Sequence, residues 1–284
     1  MPARRFWRDY WKEKIESSKS SSLDSERYPQ LHQFVSDWIS KHISEKAKGK
    51  LRILEIGIGP GGLAKKIKQL FNNQIELHGV DIHIPVKHEG IIYHEVPAEK
   101  LPFNDNEFDA VYSVFTLAYT DEEKALSELR RVLKDDGRAI LVVHSPSSTV
   151  KYLLEDAHQK ATLGLSFRKR DVKEGKKQLK DISNIERDVD EYAYLLERIT
   201  RMPSNANALK EFFESHGFSV EEIREIKAGN EPFGGQLGFG VVLKKSERKG
   251  KPIKLGKGKK YEKSHEVKPM PPDIDEGMVW SMAD

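Results

Sequence analysis

Between residues 51 and 63 the chain reads Leu-Arg-Ile-Leu-Glu-Ile-Gly-Ile-Gly-Pro-Gly-Gly-Leu, an apolar run that ends in a cluster of glycines. Glycine is needed where a backbone turns tightly, and where a ligand must lie against the peptide plane with no Cβ between. Gly57, Gly59 and Gly62 satisfy G-x-G-x-x-G, while Glu55, Gly57, Gly59 and Gly61 satisfy E-x-G-x-G-x-G. Asp81 closes the next apolar run. A carboxylate at that place accepts both hydrogen bonds of a ribose diol. Nicotinamide enzymes and adenosyl-sulfonium enzymes share this need, so the turn and the acid alone leave both cofactors open.

These residues need a scaffold, and the apolar periodicity supplies one. LRILEI (51–56), IELHGV (75–80), GIIYHEV (90–96), FDAVYSV (108–114) and RAILVV (138–143) read as strands. Leu63, Ile67, Leu70 and Phe71 mark a helix between the first two, and Leu126, Leu129, Val132 and Leu133 mark another before the last. Such alternation predicts a parallel sheet covered by helices. Before it, residues 1–50 read as a helical extension. A serine-rich break there precedes the amphipathic stripe Leu31, Phe34, Val35, Trp38 and Ile39. After it, residues 146–207 read as a helical insertion, with FRKRDVKEGKKQLK as a charged loop between two helices. Residues 208–245 hold a short helix ended by Gly217 and a final antiparallel pair, SVEEIREI and LGFGVVLKK.

Four segments in order resemble the class I S-adenosylmethionine-dependent methyltransferases, particularly the small-molecule type with an LPF…FD segment. They are the glycine turn, GVD at 79–81, PAEKLPFNDNEFDAVYSVF at 97–115 and ELRRVLKDDGRAILVV at 128–143. The resemblance covers about 51–145 and, more loosely, 208–243. It implies a doubly wound, Rossmann-like α/β fold: a mostly parallel seven-stranded sheet with a C-terminal antiparallel hairpin and a helical insertion. It also implies S-adenosylmethionine as cofactor. Gly57, Gly59 and Gly61 would form the turn under the methionine part, with Glu55 fixing that turn and facing the sulfonium end or its amino group. Asp81 would hold the ribose hydroxyls, Ile82 would be a further cofactor-binding residue, Ala98 and Glu99 would sit by the adenine, and Ser113 and Phe115 beside the methyl donor. One position departs from the family: Pro97 stands where an Asp often accepts the adenine amino group, and it offers no side-chain acceptor. LKDDG, where the family usually has Pro-Gly-Gly, is a smaller departure.

Methyl transfer from a sulfonium is an in-line displacement, so the protein mainly aligns the partners and excludes water. A base is needed where the acceptor is protonated at working pH. His144, after the fifth strand, and Tyr119, after the fourth, are the catalytic candidates, because ligands bind at the carboxyl ends of strands in open α/β sheets. Asp121 precedes a helix and reads as its N-cap. The insertion is expected to lid the site, with Arg168 and Arg170 meeting an acidic small-molecule acceptor. Four histidines (His78, His83, His88, His94) lie close in sequence, but without the helical pairing or clustered acids of a metal site, so no metal is expected.

Composition narrows the rest. The 284 residues carry no cysteine, which excludes disulfides and cysteine nucleophiles. No apolar run is long enough for a membrane span, and the basic start lacks the apolar stretch of a secretory signal, so a cytoplasmic location is expected. The net charge of +3 hides a segregation: residues 244–268 hold eleven Lys or Arg against three Glu. The tail 246–284 is therefore expected to be disordered, with Met278, Val279, Trp280 and Met282 at its end. A methyltransferase of RNA or protein with this tail as an electrostatic tether is the alternative reading. A catalytically silent scaffold of the same fold is another. Against base-amine methylation, SVFTLAYT stands where an N-P-P-[YF]-type motif would be. A nicotinamide enzyme leaves the LPF…FD and RVLKDDG segments unexplained. The aromatic run Phe6, Trp7, Tyr10 and Trp11 would either cover the active site or form a dimer contact, and the oligomeric state is left open.

Overall fold

Strand β1 (Leu51–Ile56) is buried along its whole length except at Arg52, as its uninterrupted apolar sequence requires of a strand covered on both faces. In the computed structural model, which describes residues 3–16, 29–45, 49–178, 182–229, 235–247, 250–271 and 274, β1 lies between β2 (Ile75–Asp81) and β4 (Phe108–Val114). Both neighbours run parallel to it. β3 (Ile91–Glu95) extends the sheet beyond β2 and β5 (Leu133–Val143) beyond β4, again in parallel. β7 (Gln236–Lys245) then pairs antiparallel with β5 and with β6 (Phe218–Lys227). The order β3-β2-β1-β4-β5-β7-β6 is the doubly wound, mostly parallel arrangement that the sequence predicts. Its direction of winding reverses between β1 and β4, and the carboxyl ends of these strands open the crevice where such sheets bind ligands.

Two compact units share the chain: residues 1–149 with 202–256, and residues 150–201 with 257–284. The first contains the sheet, α1 (Ala3–Glu16), α2 (Pro29–Glu45), α3 (Gly62–Phe71), α4 (Glu122–Val132) and α7 (Ala206–Ser215). Leu31, Phe34, Val35 and Ile39 of the α2 stripe are buried, whereas Trp38 is half-exposed. In α4 the Asp121 carboxylate accepts the Lys124 N–H at 3.3 Å, and acidic residues open the helix while Arg130 and Arg131 close it. Its inward face, with Leu126, Leu129 and Val132, packs on Phe108 and Leu133.

β5 departs from expectation. It begins at Leu133 rather than Arg138, and its register on β4 shifts between the Phe108 and Ala110 pairings. The relaxed turn LKDDG is thus carried inside a strand. Gly137 is needed there for space rather than for a left-handed backbone: a Cβ on it would stand 2.9 Å from the Asp109 carbonyl oxygen.

In the second unit, α5 (Thr149–Lys173) and α6 (Ser183–Ile199) bury Leu165, Ile182 and Val189 against Val267. Much of the expected charged loop is helix here, since α5 continues through FRKRDVK to Lys173. Two of its cations are spent on the tail. Lys169 donates to the carbonyls of Ser264 (2.6 Å) and Val267 (2.9 Å), and Arg170 to that of Ile274 (2.8 Å). The expectation of a disordered tail is corrected for residues 257–271. Tyr261 donates to Glu155 (2.5 Å), the Ser264 N–H and hydroxyl both reach Asp190, and His158 meets the Glu262 carbonyl at 2.8 Å. Composition could not disclose this, because the segment is held by hydrogen bonds to its extended backbone more than by apolar burial. Ser264→Ala is expected to cost about 0.5–1.5 kcal/mol of stability, since the buried Ser264 hydroxyl gives up its hydrogen bond to the solvent-exposed Asp190 carboxylate. Urea unfolding checks this, and an unchanged midpoint would mean that the segment does not hold the unit. Met278, Val279, Trp280 and Met282 lie outside the described residues, as do 17–28 and 230–234. No helix among the described residues is long and apolar enough to cross a membrane.

Candidate functional site

The chain leaves β1 through Gly57, whose N–H donates to the Val80 carbonyl at 2.8 Å and so ties the turn to the end of β2. Gly57, Gly59 and Gly61 all take left-handed backbone angles, with φ of +79°, +48° and +80°. Such angles cost a residue with a Cβ about 1–2 kcal/mol. At Gly57 space demands the same choice, because a Cβ would fall onto the Thr116 side chain. Asp81 clamps this turn. Its Oδ2 accepts the Gly59 N–H at 2.9 Å and its Oδ1 accepts the His83 N–H at 3.2 Å. Each carboxylate oxygen keeps a second lone pair for a further donor.

The turn borders a cavity of about 600 Å³ that also contains Glu55, Asp81, Ile82, Ala98, Glu99 and Phe115. Glu55 is buried, and its Oε2 accepts the hydroxyl of Tyr112 at 2.9 Å. Burial raises the Glu55 pKa to about 8, against the lowering effect of the Tyr112 bond, and the nearby Asp81 pushes it further up. Burial also raises Asp81, but the backbone N–H groups of Gly59 and His83 oppose that rise. Four carboxyl groups (Glu55, Asp81, Glu95, Glu99) and no Lys, Arg or His stand among the described lining residues. Such a donor set fits a cationic ligand with hydroxyl donors. The bare glycine backbone leaves room for that ligand to lie flat on the turn.

Other expected site residues divide. Ala98, beside Pro97, lines the cavity, and so does Glu99, whose Oε1 also accepts the Asp121 N–H at 2.8 Å. Ser113 does not line it: its hydroxyl is turned to the Ile56 carbonyl at 2.8 Å, where it ties β4 to β1. Phe115 lines it with φ +60°, a left-handed angle that bends the chain at the end of β4. Its ring stacks on His144 at 4.0 Å and 7°. His144 itself is fully buried, does not line the cavity, and has its pKa lowered to about 3 by burial. The imidazole therefore stays neutral and is a poor proton acceptor. Its Nε2 lies 3.1 Å from the hydroxyl of Tyr119, which does reach the cavity. Its Nδ1 has no partner among the described residues. A bare buried lone pair costs less than an unpaired N–H, which assigns the proton to Nε2 and makes it a donor to Tyr119. Arg168 and Arg170 line no part of the cavity; Arg168 pairs with Asp171 at 3.5 Å and Arg170 holds tail carbonyls.

Some site residues escaped the sequence reading. Tyr112 is the register partner of Glu55 across β1 and β4, but its period-two pattern shows only that it alternates. Thr116 and Thr120 also line the cavity. The aromatic run resolves toward the site: Trp7 and Trp11 of α1 both line the cavity. Trp7 meets Tyr119 edge-on at 5.0 Å, and the Trp11 ring lies over Gly59. The histidine group forms no metal-binding cluster among the described residues. His78 instead bonds His94 (3.2 Å) and Glu76 (2.9 Å), while His88 meets the Pro60 carbonyl at 2.9 Å.

Residues 54–141 match the family described as a methyltransferase domain. The chain is 32% identical over 192 residues to the ubiquinone/menaquinone biosynthesis C-methyltransferase UbiE of Pseudomonas fluorescens, covering 63% of this chain and 69% of that protein. It is 31% identical to the protein of the same name from Azotobacter vinelandii, again over 63% of this chain and 70% of the relative. Among solved structures, the 1,6-didemethyltoxoflavin N1-methyltransferase of Burkholderia thailandensis, with its acceptor and S-adenosylhomocysteine bound, shares 11% identity and a TM-score of 0.51. That alignment covers 86% of this chain and 87% of the other, and it is a likeness of fold.

Proposed function

We propose, since this chain belongs to the class I S-adenosylmethionine-dependent methyltransferase family, that it methylates a carbon of an uncharged, ring-containing small molecule. The observation that carries this reading is the cavity in which the glycine turn, Asp81 and Glu55 meet two tryptophans and Tyr119, with no Lys, Arg or His among its described lining residues. The cofactor, when bound, supplies a methyl group activated by positive sulfur. The backbone of Gly57, Gly59 and Gly61 cradles its amino-acid part, and Asp81 accepts from its ribose hydroxyls. Ile82, Ala98 and Glu99 border the adenine.

The acceptor follows from the remaining wall. Trp7, Phe115 and Tyr119 present aromatic surface, which suits a flat ring. The acidic lining repels a carboxylate or phosphate, so an acidic acceptor is disfavoured and Arg168 and Arg170 are not assigned to it. The curated relatives are named as C-methyltransferases of ubiquinone and menaquinone biosynthesis, which supports a ring carbon as the nucleophile. Tyr119 is the catalytic candidate, because its hydroxyl can hydrogen-bond an oxygen next to that carbon. His144 is a positioning residue that acts through it. Alignment and exclusion of water account for the remaining rate enhancement.

Calorimetric titration with S-adenosylhomocysteine, with NAD as control, tests the cofactor. Micromolar binding of the first and none of the second is expected, and the reverse would sink the reading. Transfer of labelled methyl to 1,4-naphthohydroquinone, compared with its carboxylated analogue, tests the acceptor class; faster methylation of the acid would overturn it. Tyr119→Phe is expected to lower kcat by about 10–100-fold while leaving cofactor affinity unchanged. An effect confined to KM would mean that Tyr119 is only a wall of the pocket.

A further inference from the structure

We propose that the indole N–H of Trp11, carried by α1, donates to the carboxylate at the amino-acid end of the cofactor. This rests on the cofactor reading above, and it adds a binding residue from outside the matched domain at 54–141.

The need for such a donor follows from the turn. An amino acid brings a carboxylate as well as an ammonium, and the carboxyl groups of the cavity suit only the second. A carboxylate taken out of water must receive hydrogen bonds. From Gly57 to Gly61 the backbone cannot supply them. The N–H groups of Gly57 and Ile58 donate to the Val80 carbonyl at 2.8 and 3.0 Å, and that of Gly61 to the Ile58 carbonyl at 2.8 Å. The Gly59 N–H is held by Asp81 at 2.9 Å, and Pro60 has none. No Lys, Arg or His stands among the described lining residues.

The lining side chains narrow the choice. The Thr116 hydroxyl donates to the Ile56 carbonyl at 3.2 Å, and the Thr120 hydroxyl to the Leu117 carbonyl at 2.9 Å. Tyr119 lies against His144, with Trp7 edge-on to its ring. Trp11 stands elsewhere, on the turn itself. The three atoms nearest to a Cβ built on Gly59 are its Cζ2, Cε2 and Nε1, at 3.3, 3.6 and 3.8 Å, so the donor edge of the indole faces the turn. The ring is half-buried against Trp7 and Tyr10, yet its N–H has no hydrogen-bond partner among the described residues. An indole N–H can only donate, and once covered it needs an acceptor. An anion laid on Gly59 supplies one. Helical spacing puts Trp7 and Trp11 on one face of α1, and the buried Tyr10 anchors that helix. Beyond the turn, α3 begins at Gly62 with no side-chain cap, and its first N–H groups can share the same anion.

The test uses the full chain and two ligands, S-adenosylmethionine and its decarboxylated form, which share nucleoside, sulfonium and amine and differ in the carboxylate. Their affinities are measured by calorimetry at pH 7. The wild-type chain is expected to bind the carboxylated ligand about 10–100-fold more tightly. Trp11→Phe keeps an aromatic ring and removes the N–H. It should shrink that ratio about tenfold, by weakening S-adenosylmethionine and sparing the decarboxylated ligand. A ratio that keeps its wild-type value in Trp11→Phe would overturn the proposal. Equal weakening of both ligands would do the same, because the indole would then only cover the turn. If that variant does not fold, the wild-type chain with ¹⁵N-labelled indoles decides. One of its four indole N–H signals should move downfield with S-adenosylmethionine and not with the decarboxylated ligand, and the lack of any such difference would overturn the proposal. Silence from both ligands and from S-adenosylhomocysteine would sink the cofactor assignment and this proposal with it, a result distinct from an unchanged ratio.

Discussion

Replacing Asp81 by alanine is expected to weaken S-adenosylhomocysteine binding by two to three orders of magnitude. The side chain has two tasks in the structure. It clamps the glycine turn through the Gly59 N–H at 2.9 Å, and it presents its remaining lone pairs to the cavity. Hydrogen bonds to a charged group contribute about 1.5–3 kcal/mol each, and water entering the vacated space returns part of this. A net loss of about 3–4 kcal/mol corresponds to roughly 10²–10³ in Kd. Asp81→Asn keeps one acceptor oxygen and should fall between the two. The tasks can be separated with a ligand lacking one ribose hydroxyl: the wild-type chain should lose affinity for it, and Asp81→Ala should not. Unchanged binding of the full ligand to Asp81→Ala would remove Asp81 from the site.

Gly57→Ala is the second large effect. The left-handed angle of +79° already disfavours alanine, and the added methyl would overlap the Thr116 side chain. Strain of about 1–2 kcal/mol from the backbone adds to an overpacking cost of about 1–3 kcal/mol. Since Gly57 joins β1 to the turn and is tied to Val80, relief by local movement would displace the turn itself. Cofactor binding should be lost, and Tm should fall by several degrees, at about 2–4 °C per kcal/mol for a chain of this size. Gly61→Ala is the control. Its φ is nearly the same, +80°, but the nearest atom to its Cβ is the His88 ring at 3.0 Å. That side chain can turn aside, so its loss should be smaller. Adding Thr116→Ala to Gly57→Ala should restore part of the stability, because it removes the overlapping Oγ1 and Cγ2 atoms. Equal losses at Gly57 and Gly61 would mean that backbone strain alone governs the turn.

Much of the site was legible because its signals are local. Glycines at 57, 59 and 61 stand where a strand must turn, and Asp81 stands at the end of the next strand; each is read from its neighbours in the chain. Asp121 as N-cap and Gly217 as helix end are of the same kind. Ser113 shows the limit. Its place at the end of the fourth strand is correct, but strand residues alternate between faces, and the hydroxyl is spent on the Ile56 carbonyl. His144 shows another: position after β5 marks it as a candidate, yet full burial keeps it neutral and leaves Tyr119 to face the cavity.

What the sequence by itself determined is the order of strands and helices, the turn and its acid. These depend on apolar periodicity and on backbone angles that only certain residues tolerate, both properties of short segments. Contacts between distant segments were decided by the tertiary structure. The register of β1 on β4 sets Glu55 against Tyr112, 57 residues away, and so gives the buried acid its hydroxyl donor. Packing of α1 brings Trp7 and Trp11 over the turn, and α5 takes up the basic tail. Lys169 and Arg170, which composition reads as solvated charge, become donors to a backbone that composition reads as unfolded. The physical reason is the same in each case. Burial and hydrogen-bond satisfaction are properties of a surrounding, and the surroundings of these residues come from chain far away in sequence.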